Sequence, residues 1–274
     1  MTVKISVITP CRNAARHIGD TVRSVLSQYA VQAGRVRLEY IICDGASTDG
    51  TIDIIRQFES PLVKVISEPD KTMYEALAKG LARATGDVVA YLNAGDHYHP
   101  GAFDAIAEVF QSKTVSWITG YGAFLNEVGS IVEVKLPYRY RKRLFESGMY
   151  GNWLPYVMQE TTFWRRQLMD NLDFAALSEM RYAGDYFLWK AFSKRNRLCV
   201  IQALLGGFRT HAGQLSENTA AYRDEVSKIC RTPNMVDFAV MAWDALFWFA
   251  PVGVKKSLNR DGILRYDNRT RQWV

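Results

Sequence analysis

The sequence predicts an α/β protein: a mostly parallel, Rossmann-like sheet flanked by helices, followed by a less regular second half and a helical C-terminus. Three observations predict it. Short β-branched runs alternate with amphipathic helical stretches over residues 3–119. Each run stops at a polar, turn-forming cluster. Strands separated by helices imply right-handed crossovers and a sheet covered on both faces, with ligands at the carboxyl ends of its strands.

Residues 3–9 (VKISVIT) form the first run, and Pro10 is expected to end it because proline gives no ladder donor. Over residues 17–28, Ile18, Val22, Val25 and Leu26 recur at helical spacing. Residues 38–43 (LEYIIC) form the second strand, closed by the turn-rich 44–51 (DGASTDGT). Ile52, Ile55 and Phe58 mark a helix, and residues 63–66 a third strand. A helix over 73–84 closes at Gly86; the strand over 87–92 (DVVAYL) breaks at Asn93-Ala94-Gly95-Asp96. A helix over 102–110 and a strand over 115–119 complete the alternation. Four successive strands thus deliver polar residues to one rim: Arg12 and Asn13, Asp44 and Asp49, Glu68, Asp70 and Lys71, Asn93 and Asp96.

Composition narrows the class. The chain has 274 residues, 48% hydrophobic and 23% charged, which suits a folded protein with a full core rather than a disordered or low-complexity one. No run of 18 apolar residues suggests a membrane span, and the N-terminus enters a strand without a signal-peptide pattern. The four cysteines form no CxxC pair, so a reducing, cytoplasmic home is expected. The net charge is +6, of which residues 251–274 carry +4, six Lys/Arg against Asp261 and Asp267. The body is nearly balanced, which argues for a local partner of the tail and against a nucleic-acid partner. No GxGxxG follows the first strand and no GxxxxGK[ST] occurs, against a dinucleotide oxidoreductase or a P-loop NTPase.

The blocks ISVITPCRN (5–13), DGASTDGT (44–51), SEPDK (67–71), ATGDV (84–88) and YLNAGD (91–96) together resemble, in order and spacing, the successive blocks of family 2 glycosyltransferases. QETTFWR (159–165), AGDYFLW (183–189) and FRTHAGQLS (208–216) resemble later blocks of the same family, and the resemblance ends after Ser216. It implies a GT-A fold and inverting transfer of a sugar from a nucleoside-diphosphate sugar, a UDP-sugar by family frequency, to a hydroxyl of a glycan or lipid-linked saccharide. It implies that Thr9, Pro10, Arg12 and Asp44 lie at the nucleobase, and Asp70 and Lys71 along the nucleotide. Asn93, Ala94, Gly95 and Asp96 occupy the DxD-type position, with Asp96 and His211 toward a Mn²⁺ or Mg²⁺ ion. Asp185 occupies the position of the catalytic base. The chain departs from the family's pattern where the acidic cluster before Asp96 is thinned, and where Thr72 stands in place of a glycine.

The residue types suit that chemistry, and each has a structural alternative. A divalent cation neutralises a diphosphate leaving group and takes oxygen ligands, Asp96 among them; otherwise Asp96 is a turn or capping aspartate. Asp185 opens an amphipathic helix, a rigid mount for a general base and also a favourable place for any carboxylate. Glu160 competes as base or acceptor contact. Trp153, Tyr156, Trp164 and Tyr182 suit stacking on sugar faces or core packing. Arg209 suits a diphosphate or an ion pair. Tyr138–Arg143 (YRYRKR) reads as a loop near an anionic donor or lipid phosphate. Residues 235–250 form one apolar helix with only Asp237 and Asp244 charged, seven apart and so on one face. With the basic tail it suits an anionic membrane surface at the inner face, or packing in the core or between subunits of a homo-oligomer. The organisation expected is a transferase domain over 1–216, with a nucleotide-sugar half (1–110) and an acceptor half (111–216), then a helical extension with a basic tail over 217–274. A sugar-nucleotide-binding protein without catalysis, and a nucleotidyltransferase on a related sheet, are the alternatives.

Overall fold

A computed structural model of the chain describes residues 2–210 and 214–274, so His211 lies outside the described residues. The first half alternates as follows: β1 (Val3–Cys11), α1 (Ile18–Leu26), α2 (Tyr29–Gln32), β2 (Val36–Asp44), α3 (Thr51–Arg56), β3 (Val63–Ser67), α4 (Met73–Arg83), β4 (Val88–Tyr91), β5 (His97–Tyr98) and α5 (Ala102–Val109). The second half is less regular: β6 (Trp117–Thr119), β7 (Gly122–Leu125), β8 (Ile131–Lys135), α6 (Lys142–Glu146), β9 (Thr162–Arg165), α7 (Phe174–Ser178), α8 (Gly184–Ser193), β10 (Leu198–Ile201) and β11 (Gly206–Arg209). The C-terminal part holds α9 (Thr219–Ile229), α10 (Met235–Trp248), α11 (Val252–Leu258), β12 (Ile263–Leu264), β13 (Tyr266–Asp267) and β14 (Gln272–Trp273).

Among the described residues the main sheet runs β12-β10-β6-β9-β4-β1-β2-β3. It is parallel except at β9, which lies antiparallel between β4 and β6. Along β1, Ile5 and Val7 pack with Ile18, Val22, Phe103 and Ile106 on one face, while Ile8 packs with Leu77, Leu81 and Trp189 on the other. That period-2 alternation is what covers a parallel sheet on both sides. A smaller sheet, β5-β11-β7-β8, flanks the cavity described below.

Two expectations need correction. β1 does not stop before Pro10: it runs on to Cys11, because β4 has already ended opposite Ile8 and only β2 borders the last turn of strand, so no donor is lost at Pro10. The YRYRKR segment is not a phosphate-facing loop. Tyr138 and Tyr140 are buried against Phe247 and Trp248. Arg141 grips Asp244 in a fork (2.6 and 2.8 Å), Arg143 and Arg231 both pair with Asp237, and Arg139 reaches Asn259 (3.1 Å). Hydrogen bonds from Arg231 hold the Asp237 carboxyl well below the usual carboxylate range.

The two acids of α10 thus face inward, and its apolar side faces out: Met235, Val236, Phe238, Trp243, Leu246 and Phe249 are exposed, while Trp248 is buried. The basic tail is partly built in. Lys255 is buried and donates to the Leu136 carbonyl (2.6 Å), and β12 adds an edge strand to the main sheet beside β10. No helix among the described residues is long and apolar enough to cross a membrane.

Candidate active site

The carboxyl ends of β1, β3 and β4 open onto a cavity of about 780 Å³. Pro10, Arg12 and Asn13 line it after β1, Asp70 and Lys71 after β3, and Asn93–Asp96 after β4. The opposite wall brings Gln159 and Glu160, Tyr156, Tyr182, Asp185 and Tyr222. Sequence blocks more than 100 residues apart therefore meet in one place.

The DGASTDGT loop shapes this cavity from behind. Asn13, with a left-handed φ of 49°, accepts the Thr48 N–H (3.0 Å), and its own N–H goes to Ser47 Oγ (2.8 Å). Asp49 accepts from Ala15 N–H (2.9 Å), and Thr51 Oγ1 from Ala14 N–H (2.8 Å). Asp44 is buried, and its carboxylate takes the Ser47 N–H (3.1 Å) and the Ser67 hydroxyl (2.7 Å). Thr9 is likewise buried, bonded to the Tyr40 hydroxyl (3.0 Å). Neither Thr9 nor Asp44 lines the cavity; of the residues expected along the nucleotide, Pro10, Arg12, Asp70 and Lys71 do.

Thr72, standing where the resemblance has a glycine, caps α4 by accepting the Glu75 N–H (3.0 Å) and donates to the Ser178 carbonyl (3.0 Å). It ties the Asp70–Lys71 loop to α7.

Asp96 is held by its neighbours on every side. Thr21 Oγ1 takes the Gly95 N–H (2.9 Å) and donates to the Asp96 carbonyl (2.8 Å). The Asp96 carboxylate accepts from Arg209 N–H (3.0 Å) and Gln159 Nε2 (3.1 Å). The Arg209 guanidinium turns away to Asp20 (3.0 Å), which assigns it the ion-pair role and not a place on the cavity wall. Burial pushes the Asp96 carboxyl up to about 7, and burial together with the Asp96 charge pushes Glu160 well above its ordinary value. Two desolvated carboxylates side by side favour a proton or a cation between them. Asn93 Oδ1, Gln159 Oε1 and Glu160 Oε1 are buried without a hydrogen-bond partner, and all three residues line the cavity. Such an oxygen set fits a hard divalent cation that draws the rest of its shell from a bound anion. Among the described residues no cluster of three His, Cys, Asp or Glu holds a metal by itself.

Asp185 sits at the first turn of α8 with part of its surface on the cavity. It accepts the Tyr186 N–H (2.7 Å), and Tyr222 stands beside it on the cavity wall. Burial pushes its carboxyl up to about 7. Of the aromatic candidates, Tyr156 and Tyr182 line the cavity, whereas Trp164 is in the core between Tyr91 and Trp189. Trp153 is 62% exposed on the outer surface, edge-on to Phe238 of α10, so it is no part of the wall. Gln159, Tyr74 and Tyr222 were not anticipated. A glutamine beside a motif glutamate, and tyrosines at helical spacing, look like core or surface until the chain is folded.

The model of the family described as glycosyl transferase family 2 matches residues 6–172. A glycosyltransferase of Bacillus subtilis named for teichuronic acid biosynthesis, TuaG, is 36% identical over 121 residues, 43% of this chain and 46% of that protein. The chain spans at most about half of the length of the curated relatives it matches, and 13% of the two synthases among them. Among solved structures, S. aureus TarS (residues 1–349) in complex with UDP-GlcNAc superposes with a TM-score of 0.59 at 16% identity, over 93% of this chain and 70% of that one. The mannosyltransferase PcManGT from Pyrobaculum calidifontis, in complex with GDP-Man and Mn²⁺, gives 0.60 at 16% identity, over 91% and 71%. Both share the GT-A architecture of a largely parallel sheet flanked by helices.

Proposed function

This chain belongs to glycosyl transferase family 2, and on that premise we propose that it is an inverting transferase acting from a UDP-sugar onto a hydroxyl of a glycan or lipid-linked saccharide. The observation that carries this reading is the single cavity in which the strand-end loops face Asp185. The nucleotide lies along Pro10, Arg12, Asp70 and Lys71, with the Asp70 carboxylate accepting a ring N–H of the base. Asn93, Gly95 and Asp96 lie at the diphosphate. Asp96, with the neighbouring oxygens, would hold Mn²⁺ or Mg²⁺, and His211 is proposed as a further ligand. When bound, the cation neutralises the leaving diphosphate. Asp185 takes the proton of the acceptor hydroxyl as that oxygen attacks the anomeric carbon; the bond to the β-phosphate oxygen breaks on the opposite face. Tyr156 and Tyr182 offer faces for the acceptor sugar.

Thermal-shift titration with nucleoside diphosphates tests the donor assignment, since a specific ligand raises apparent stability. UDP, GDP and TDP, which carry a ring N–H, should stabilise more than CDP, and Mn²⁺ should increase the shift. A larger shift with CDP overturns the role of Asp70.

The acceptor is proposed to be presented at an anionic bilayer, at the inner face of the cytoplasmic membrane. The support is the outward apolar face of α10 with its exposed aromatic residues, followed in sequence by the basic tail. In flotation at low salt with phosphatidylglycerol vesicles, the full chain should bind, and Leu246→Glu/Phe249→Glu should bind at least ~10-fold more weakly, because a buried charge opposes each insertion. Equal flotation of both proteins, or a stable homo-oligomer that ignores vesicles, removes the membrane from the account.

A further inference from the structure

We propose that Glu225, on α9, is a positioning residue for the transfer: it fixes the segment 181–183 from which Asp185 is presented to the acceptor. This rests on the reading of Asp185 as the base.

The N–H groups at the start of a helix have no partner within it and must find one. Leading into α8, one side chain closes three of them in a row. Glu225 Oε1 accepts the Arg181 N–H (2.9 Å), and Oε2 accepts those of Tyr182 (2.8 Å) and Ala183 (2.7 Å). The Tyr74 ring packs against Gly184, and its hydroxyl donates to the Tyr182 carbonyl (3.2 Å). Asp185 itself takes the Tyr186 N–H. The three consecutive N–H groups before α8, which in a bare loop would gather an anion, are closed by a carboxylate of the protein.

Tyr222 stands three residues before Glu225, on the same side of α9, and lines the cavity with Asp185. One helix face thus supplies both a neighbour of the base and the clamp on its backbone. α9 lies beyond Ser216, where the family blocks end. Charge-assisted bonds from a carboxylate to backbone N–H groups are about twice as strong as neutral ones, so three of them make a stiff mount. The Ala183 N–H bond is one peptide from the helix and two residues from the carboxylate it positions. The charge also acts through space. Around Asp185 stand Glu225 and Tyr222 of α9, Tyr74 of α4, Tyr156, and Glu160, and Glu225 adds to the upward push on the Asp185 carboxyl.

The test uses the full chain with Glu225→Gln, Glu225→Asp and Asp185→Asn. Three readouts apply: amide exchange at residues 181–183, titration of the Asp185 carboxyl followed by ¹³C NMR, and UDP release from UDP-GlcNAc. In Glu225→Gln we expect the three amides to exchange ~10-fold faster or more, because the charged acceptor of all three hydrogen bonds is lost. The Asp185 titration should move to lower pH. UDP release should slow about tenfold at saturating donor, with KM for UDP-GlcNAc within about twofold, the pattern of a lost transition-state interaction. Glu225→Asp keeps the charge, so its titration should stay near that of the wild type while its amides loosen; it carries the test if the Gln variant does not fold. Unchanged exchange and titration in folded Glu225→Gln overturn the proposal, as does a loss of donor affinity equal to the loss of rate. If Asp185→Asn keeps wild-type turnover, the base assignment fails instead, and the exchange data still report on the clamp alone. In the Asp185→Asn background Glu225→Gln should cost nothing further in rate.

Discussion

Asp185→Asn is expected to lower turnover by roughly 10²–10⁴-fold, the span of a general-base contribution. The amide keeps the shape and the contact with Tyr186 N–H but has no basic carboxylate to take the proton. Binding of UDP should stay within about twofold, because Asp185 lies on the wall opposite the strand-end loops. The pH profile separates this from a structural loss. Burial raises the Asp185 carboxyl to about 7, and the base works only when deprotonated. The wild-type rate should therefore climb as pH rises through about 7 and level off above it, and the residual rate of the variant should lack that limb. A variant that loses UDP binding in step with turnover would make Asp185 a structural residue.

Asp96→Ala is the second large effect. With no carboxylate against the diphosphate site, turnover should fall by roughly 10²–10⁴-fold, matching the several kcal/mol that a cation contributes to charge stabilisation. The added stabilisation of UDP binding by Mn²⁺ should vanish. The fold should survive, since removing the charge relieves the repulsion with Glu160 that offsets the lost bonds to Gln159 and Arg209. Manganese alone should bind the wild type weakly without UDP, because no described cluster of side chains holds a cation unaided. Full wild-type turnover in strong chelator, or unchanged turnover in Asp96→Ala, contradicts the assignment.

Much of this was legible in the chain itself, for a local reason. A buried parallel strand is a short apolar run, and where it ends the next residues must turn; β1, β2 and β4 therefore announce both the sheet and its polar rim within ten residues each, and the half-exposed edge strand β3 does so through its β-branched residues. β9 did not announce itself. Thr162–Arg165 is a four-residue strand whose antiparallel place between β4 and β6 depends on partners some 45 to 75 residues away. Arg141 and Arg143 read as a basic patch because their acids, Asp244 and Asp237, lie about 100 residues downstream. Asp44 and Thr9 occupied the right strand ends, but sequence gives a residue's position and not which way its lone pairs are already committed. Glu225 carried no signal at all: in TAAYRDEVSKI it looks like one more surface charge, and only the backbone of Arg181–Ala183, forty residues earlier, gives it a role.

The central claim is that a hydroxyl activated by Asp185 displaces the diphosphate in one step. The anomeric configuration of the product, read by NMR from transfer with an α-linked UDP-sugar, tests that most directly. A single in-line displacement predicts a β-linked product, the configuration inverted. An α-linked product would require a covalent or front-face route and would contradict the account.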